Sequence, residues 1–367
     1  MRQVEAESIA GNTHIPRIDT LRALAALSVI YIHYFQSFLP PSITVDGVQL
    51  FFTLSGFLIT RTVLMQRKLN CKGRTIAQFY IRRVFRIFPA YYLVIFASLA
   101  LGIYGAKQSE IWALTFTVDF FMSLRGGDAG YLGHLWSIGV EEQFYLVLPF
   151  LLLFLPRRVF VAIVIAGMIG AIAYRLVQFS IYPTFPYNPI ANIDKLGVGV
   201  LLALAVDVFG AARIEHSLRW VLPVAIPSFL LCCLEPLLNV DWLFFFFGLP
   251  ITLSCMFFAW LIVKAVNDGP AADTWGGTIL PKLGAISYGI YLYHLPMRAV
   301  ADHFEQGSPS VVLRLLCVAA TIGLAMISYH AIEAPLMRFG KARLKRGAMP
   351  ATSVDINPRA ETVHSGS

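Results

Sequence analysis

The chain has 367 residues, 57% of them apolar and only 14% charged, where soluble domains run at roughly 45–50% and 25%. That balance excludes a soluble globular enzyme and predicts an all-α fold, a polytopic bundle of membrane-crossing helices. The formal net charge of +8 comes in short basic segments between apolar runs, a pattern that suits a membrane face contacting anionic lipid and gives nucleic acid no support as a partner.

Residues 1–16 form a polar N-terminal tail without the charged start, short apolar core and small-residue cleavage site of a cleaved leader. Ten apolar stretches near the crossing length follow, at about 18–39, 44–65, 83–105, 136–155, 159–181, 191–210, 218–236, 242–264, 282–301 and 310–336. The stretch from Ile111 to Leu124 is shorter and interrupted by Asp119, so it is expected to lie at the interface or to re-enter. Lys and Arg are retained on the cytoplasmic side. With the amino terminus inside, that side collects residues such as Arg67, Lys68, Arg74, Arg157, Arg213 and Lys264, while the outer loops hold little beyond Lys107 and Arg125. Ten spans return the carboxyl terminus to the cytoplasm, and residues 341–367 read as a basic, then polar, mobile tail. The five cysteines show no paired spacing, so neither a disulfide nor a metal site is expected.

Ionisable residues inside apolar spans carry the chemistry. In the first span, Arg22 and His33 are eleven residues apart, almost three whole turns, and share one helix face about 16 Å apart. Arg22 either snorkels from the helix start or faces a site; His33 is the stronger functional residue. RRVFRIFP places Arg82, Arg83 and Arg86 at i+3 and i+4 spacings at the start of the third helix. They either bind a phosphorylated cytoplasmic ligand or anchor the loop. In HLWSIGVEEQFY, Ser137 is expected to cap the fourth span, and one of Glu141 and Glu142 to face the bundle at the depth of His33 and orient its imidazole. Ser287, Tyr291, His294 and Arg298 form a polar stripe on the ninth span, either catalytic or interhelical glue. Asp194 and Lys195 are expected to pair locally, Glu333 to hold the basic cluster, and Ser55 with Gly56 to permit close helix packing.

Arg22 with His33, GVQLFFTLSGFLI, RRVFRIFP, HLWSIGVEEQFY, GAISYGIYLYH and the closing IEAP occur in the order found in the integral membrane acyltransferase family three, which the chain resembles over about residues 17–340. Ala334 departs from the basic residue frequent in that last motif. The resemblance implies a membrane O-acyltransferase, one domain over 17–340, in the cell inner membrane. It would move an acetyl or similar short acyl group from cytoplasmic acyl-coenzyme A to a hydroxyl of a glycan or glycolipid. Acetyl-coenzyme A is then a substrate, with no permanently bound cofactor. The resemblance implies His33 as catalytic residue with Arg22 its partner, and Arg82, Arg83 and Arg86 as the acyl-donor site. Glu141 and Glu142 join the catalytic set, and His134, Trp136, Ser287, Tyr291 and His294 are expected at the substrate. General-base catalysis and an acyl-histidine intermediate both remain open. The lack of room for an esterase-like domain resembles short glycan acetyltransferases, including the nodulation-factor type. A transporter or flippase of a lipid-linked sugar is the alternative.

Overall fold

Runs of apolar residues without water to satisfy their backbone groups fold as helices, and in a computed structural model every long element is one. The structure describes residues 15–38, 47–125, 128–181, 187–238, 248–268, 277–305 and 309–346. The expected polar tail up to residue 14, and the tail beyond residue 346, lie outside the described residues.

The helices are α1 (Pro16–Phe35), α2 (Gly47–Leu69), α3 (Lys72–Ala100), the short α4 (Glu110–Leu114) and α5 (Val118–Arg125), then α6 (Leu135–Phe154) and α7 (Arg157–Ile181). After them come α8 (Ile193–Phe209), α9 (Ala211–Arg219), α10 (Leu222–Leu238), α11 (Gly248–Asn267), α12 (Ile279–Ala285), α13 (Ser287–Glu305), α14 (Val311–Ser328) and α15 (Ala334–Arg346). No strand occurs among the described residues. Among the described residues, seven helices are long and apolar enough to cross a membrane, or eight if α9 and α10, bent by 72°, count as one span. The protein is thus a multi-pass membrane bundle, and the described residues hold seven or eight of the ten spans expected. The sixth expected span contracts to the 17 residues of α8, and the ninth is broken at Ile286 into α12 and α13. The segment 111–124 forms α4 and α5, neither long enough to cross.

Two further boundaries move. Residues 72–82 have no proline or interior apolar gap to end a helix, so α3 begins eleven residues before the expected span and carries its arginines in its interior. Residues 341–346, expected in a mobile tail, belong to α15, which packs on α3 through Phe339 and Phe85, ring centroids 5.7 Å apart.

The tightest packing joins α2 to α8. A Cβ on Gly56 would lie 2.1 Å from the Leu196 carbonyl oxygen, and one on Gly199 would lie 2.1 Å from that of Thr53. Only glycine lets the two backbones approach so closely. Polar pairs pin the other helices. The direct hydrogen-bond partners of Asp194 lie on other helices, while Lys195 acts on it through charge. Asp194 takes a bidentate contact from Arg175 of α7, 2.7 Å at each oxygen, and also accepts from Thr252 of α11. Lys195 donates to Asn192 at 2.6 Å. Arg17 with Asp268, Lys68 with Asp207, and Arg157 with the Leu204 carbonyl gather the start of α1 and the ends of α2, α8 and α11 at one basic end of the bundle.

Candidate active site

Three helices bring three histidines together at the other end. His33 lies in the last turn of α1, His134 immediately precedes α6, and His294 lies in mid-α13. The His294 ring stands between the other two, with centroids 5.0 Å from His33 and 4.9 Å from His134. His294 is fully buried and His134 nearly so, whereas His33 keeps some exposure. The Nδ1–H of His33 donates to the Val29 carbonyl one turn back, at 2.9 Å, which fixes the tautomer with Nε2 as the basic nitrogen. His294 Nδ1–H donates to the Tyr291 carbonyl at 2.6 Å, and its Nε2 is buried without a partner among the described residues. His134 Nε2–H donates to the Leu292 carbonyl at 3.1 Å. Tyr291 links this cluster to α6: its hydroxyl donates to the His134 carbonyl at 3.0 Å and lies 2.6 Å from Ser137 Oγ.

Below the histidines, α1, α2, α3, α6 and α13 enclose a cavity of about 260 Å³. Ser137 and Tyr291 line it next to the histidine cluster. Ser55, Glu141, Glu142 and Tyr145 line its middle, and Arg22, Arg83 and Arg86 its basic end, with Val48, Phe51, Phe52 and Ile138 as apolar wall. Ser287 also reaches the lining. Arg22 pairs with Asp19 at 2.9 Å. Arg83 lies over the Tyr145 ring at 4.1 Å and the Phe79 ring at 5.7 Å. Neither Arg83 nor Arg86 makes an ion pair or hydrogen bond among the described residues, and two unpaired guanidinium forks in one cavity suit an anionic ligand.

The sequence-based expectations are redistributed. Arg82 is exposed and does not line the cavity. Adjacent helix positions point about 100° apart, so Arg82 and Arg83 cannot both face the interior, and Arg22 of α1 joins Arg83 and Arg86 instead. Glu141 is not the partner of His33. Its carboxylate accepts from Ser55 at 2.8 Å and from Tyr145 at 2.5 Å, and it lies seven residues, about 10 Å, along α6 from His134. The Val29 carbonyl orients the imidazole. Glu142 reaches the cavity with one oxygen buried and unpartnered among the described residues. Ser137 lies inside α6 and bonds Tyr291 rather than capping the helix. Trp136 packs edge-on against Phe52 at 5.9 Å and Tyr187 at 5.4 Å, outside the cavity lining. Glu333 accepts from Ser328 at 3.1 Å. Tyr145 was not anticipated; its signal was its i+4 spacing from Glu141, which puts both on one face. Ser55, expected only to ease packing, holds Glu141.

A sequence model of the family described as the acyltransferase domain, acyltransferase family three, matches residues 15–330. The chain is 28% identical to the peptidoglycan O-acetyltransferase OatA of Listeria monocytogenes, over 89% of this chain and 56% of that protein. It is 27% identical to a putative peptidoglycan O-acetyltransferase, YrhL, of Bacillus subtilis, over 89% and 55%. With the O-acetyltransferase OatA of Staphylococcus aureus it shares 26% identity over 91% and 59%. The chain therefore spans a little over half the length of these relatives. No solved structure matches it significantly.

Proposed function

This chain belongs to acyltransferase family three, and from that membership we propose that it is a membrane O-acyltransferase which transfers an acetyl or similar short acyl group from acyl-coenzyme A to a glycan hydroxyl. The observation that carries this reading is a single cavity with the unpaired forks of Arg83 and Arg86 at one end and the His33, His294 and His134 cluster beyond the other. Coenzyme A phosphates suit the arginine end, which is also the basic, cytoplasmic-type end of the bundle in the inner membrane. Arg22 and His33 lie about 16 Å apart along α1, a gap suited to the long pantetheine arm. At the far end, His33 Nε2 takes the proton from the acceptor hydroxyl as its oxygen attacks the thioester carbonyl. The carbon–sulfur bond then breaks, the acyl ester forms, and coenzyme A leaves as a thiol after taking up a proton. General-base help of this kind contributes roughly 10² to 10⁴-fold. The Tyr291 hydroxyl, which donates to the His134 carbonyl and lies against Ser137 Oγ, braces the histidine end of the cavity.

Peptidoglycan is named for two of the relatives and is the first acceptor to assay; a nodulation factor is a second glycan of the same chemistry. The test is transfer of labelled acetyl from acetyl-coenzyme A to glycan by the purified protein in detergent, where no gradient exists and a transporter can do nothing. Wild type transfers and His33→Gln does not, because glutamine keeps hydrogen-bonding capacity without accepting a proton. Full activity in the Gln variant would remove His33 as the base. No transfer to any glycan fraction by the wild-type protein would overturn the enzyme reading.

A further inference from the structure

The end of α1 beyond His33 is gripped by an ion pair that the acyl-transfer reading does not use. Arg314 of α14 is 3% exposed. Its Nε and one terminal nitrogen donate to the two oxygens of Glu305 at 2.8 and 2.7 Å, and its other terminal nitrogen donates to the main-chain carbonyl of Tyr34 at 2.6 Å. That carbonyl belongs to the last turn of α1, where carbonyls lack intrahelical partners and the helix dipole favours a cation. Tyr34 is also tied on its side-chain side, since its hydroxyl donates to the His294 carbonyl at 2.6 Å. Both bonds fix the residue next to His33, and the second fixes it to the helix whose His294 ring faces the His33 ring at 5.0 Å. The surrounding charges support the grip: Arg298 donates to Asp302 at 2.9 Å, Tyr131 donates to the same carboxylate at 2.9 Å, and Asp302 lies 3.9 Å from Arg314.

We propose that Arg314, held by Glu305, is a positioning residue that fixes the imidazole of His33 by clamping the Tyr34 carbonyl. The inference rests on the reading of His33 as the base. A guanidinium is required because one planar group must meet two carboxylate oxygens and a carbonyl at once, and an ammonium reaches only part of that set. A misplacement of about 1 Å at a reacting group costs on the order of 10²-fold in rate.

The experiment has two arms on the full-length protein in detergent. In the first, Arg314→Gln and Arg314→Lys are assayed for acetyl transfer. The expected result is a kcat lowered roughly tenfold to a hundredfold in both, with KM for acetyl-coenzyme A within twofold of wild type. In the second arm, carbethoxylation of His33 by diethyl pyrocarbonate is followed peptide by peptide. Its rate should change severalfold in Arg314→Gln, while exposed His216 on α9 reacts as in wild type. This arm reads the clamp without any acyl transfer, so a failure of the enzyme reading leaves it decisive. An unchanged His33 reaction rate in Arg314→Gln, or a kcat within twofold of wild type, would overturn the proposal. Equal changes at His33 and His216 would mark general unfolding and would count against it as well.

Discussion

Arg82 and Arg86 sit four residues apart on one helix, yet only Arg86 lines the cavity. If the cavity takes the phosphates of the acyl donor, Arg86→Ala should raise KM for acetyl-coenzyme A about tenfold or more and leave that for the acceptor unchanged, because charge-assisted hydrogen bonds to phosphate contribute roughly 1.5–3 kcal/mol. Arg82→Ala should stay within twofold on both. Equal effects from the two substitutions would return the cluster to plain anchoring. Asp119 offers a second test at this scale. It sits on α5, outside the crossing helices, and burial pushes its carboxyl up to about 7 against the opposing hydrogen bond from Gln143. A raised folded value means a stability contribution that is fully present below the ordinary carboxylate value near 3.9 and lost as pH climbs through about 7. The melting temperature of the wild-type protein should therefore fall between pH 5 and pH 8 more steeply than that of Asp119→Asn. Parallel curves would show that the carboxyl titrates normally.

Among the elements, the α2–α8 contact makes the clearest demand. A methyl at position 56 meets a backbone carbonyl, which cannot swing aside as a side chain can, and overpacking of that kind costs typically about 1–3 kcal/mol. Gly56→Ala should lower the detergent melting temperature, whereas Ala at Gly170, with nothing within 4 Å, should not. The sequence made the helices legible because hydropathy over about 20 residues reports directly on lipid exposure. It also exposed the close-packing role of Gly56. It did not reveal the length of α3, because residues 72–82 are amphipathic and continue a helix that hydropathy counts only where it turns apolar. Partners on other helices were equally hidden. Asp194 looks paired with Lys195 along the chain, but the bidentate partner is Arg175, whose charge inside the apolar run of α7, well past Arg157 and Arg158 at its start, could have flagged it. The meeting of His33, His134 and His294 depends on which helices are neighbours, and periodicity within one helix carries no such information.

At the scale of the whole molecule, the cavity runs from the arginines to Ser137 and Tyr291, and Tyr291 bonds His134 and His294; on the proposed function, donor and acceptor meet there from opposite ends of the bundle. This makes the passage itself a testable part. Ile138 of α6 lies on the wall one residue beyond Ser137, between the carboxylates and the histidine cluster. Replacing it with tryptophan fills much of the passage there while leaving Arg22, Arg83 and Arg86 as they are. Ile138→Trp should bind coenzyme A, measured by equilibrium dialysis, within about threefold of wild type. Its kcat for acetyl transfer should fall on the order of 10²-fold, because binding that cannot be carried into the transition state does not accelerate the reaction. Ile138→Val, which removes one methylene and widens the wall, should retain near-normal transfer. A tryptophan variant that keeps its full rate would mean that the thioester reaches His33 by some path other than this cavity, and the route from the arginines to the histidines would have to be given up.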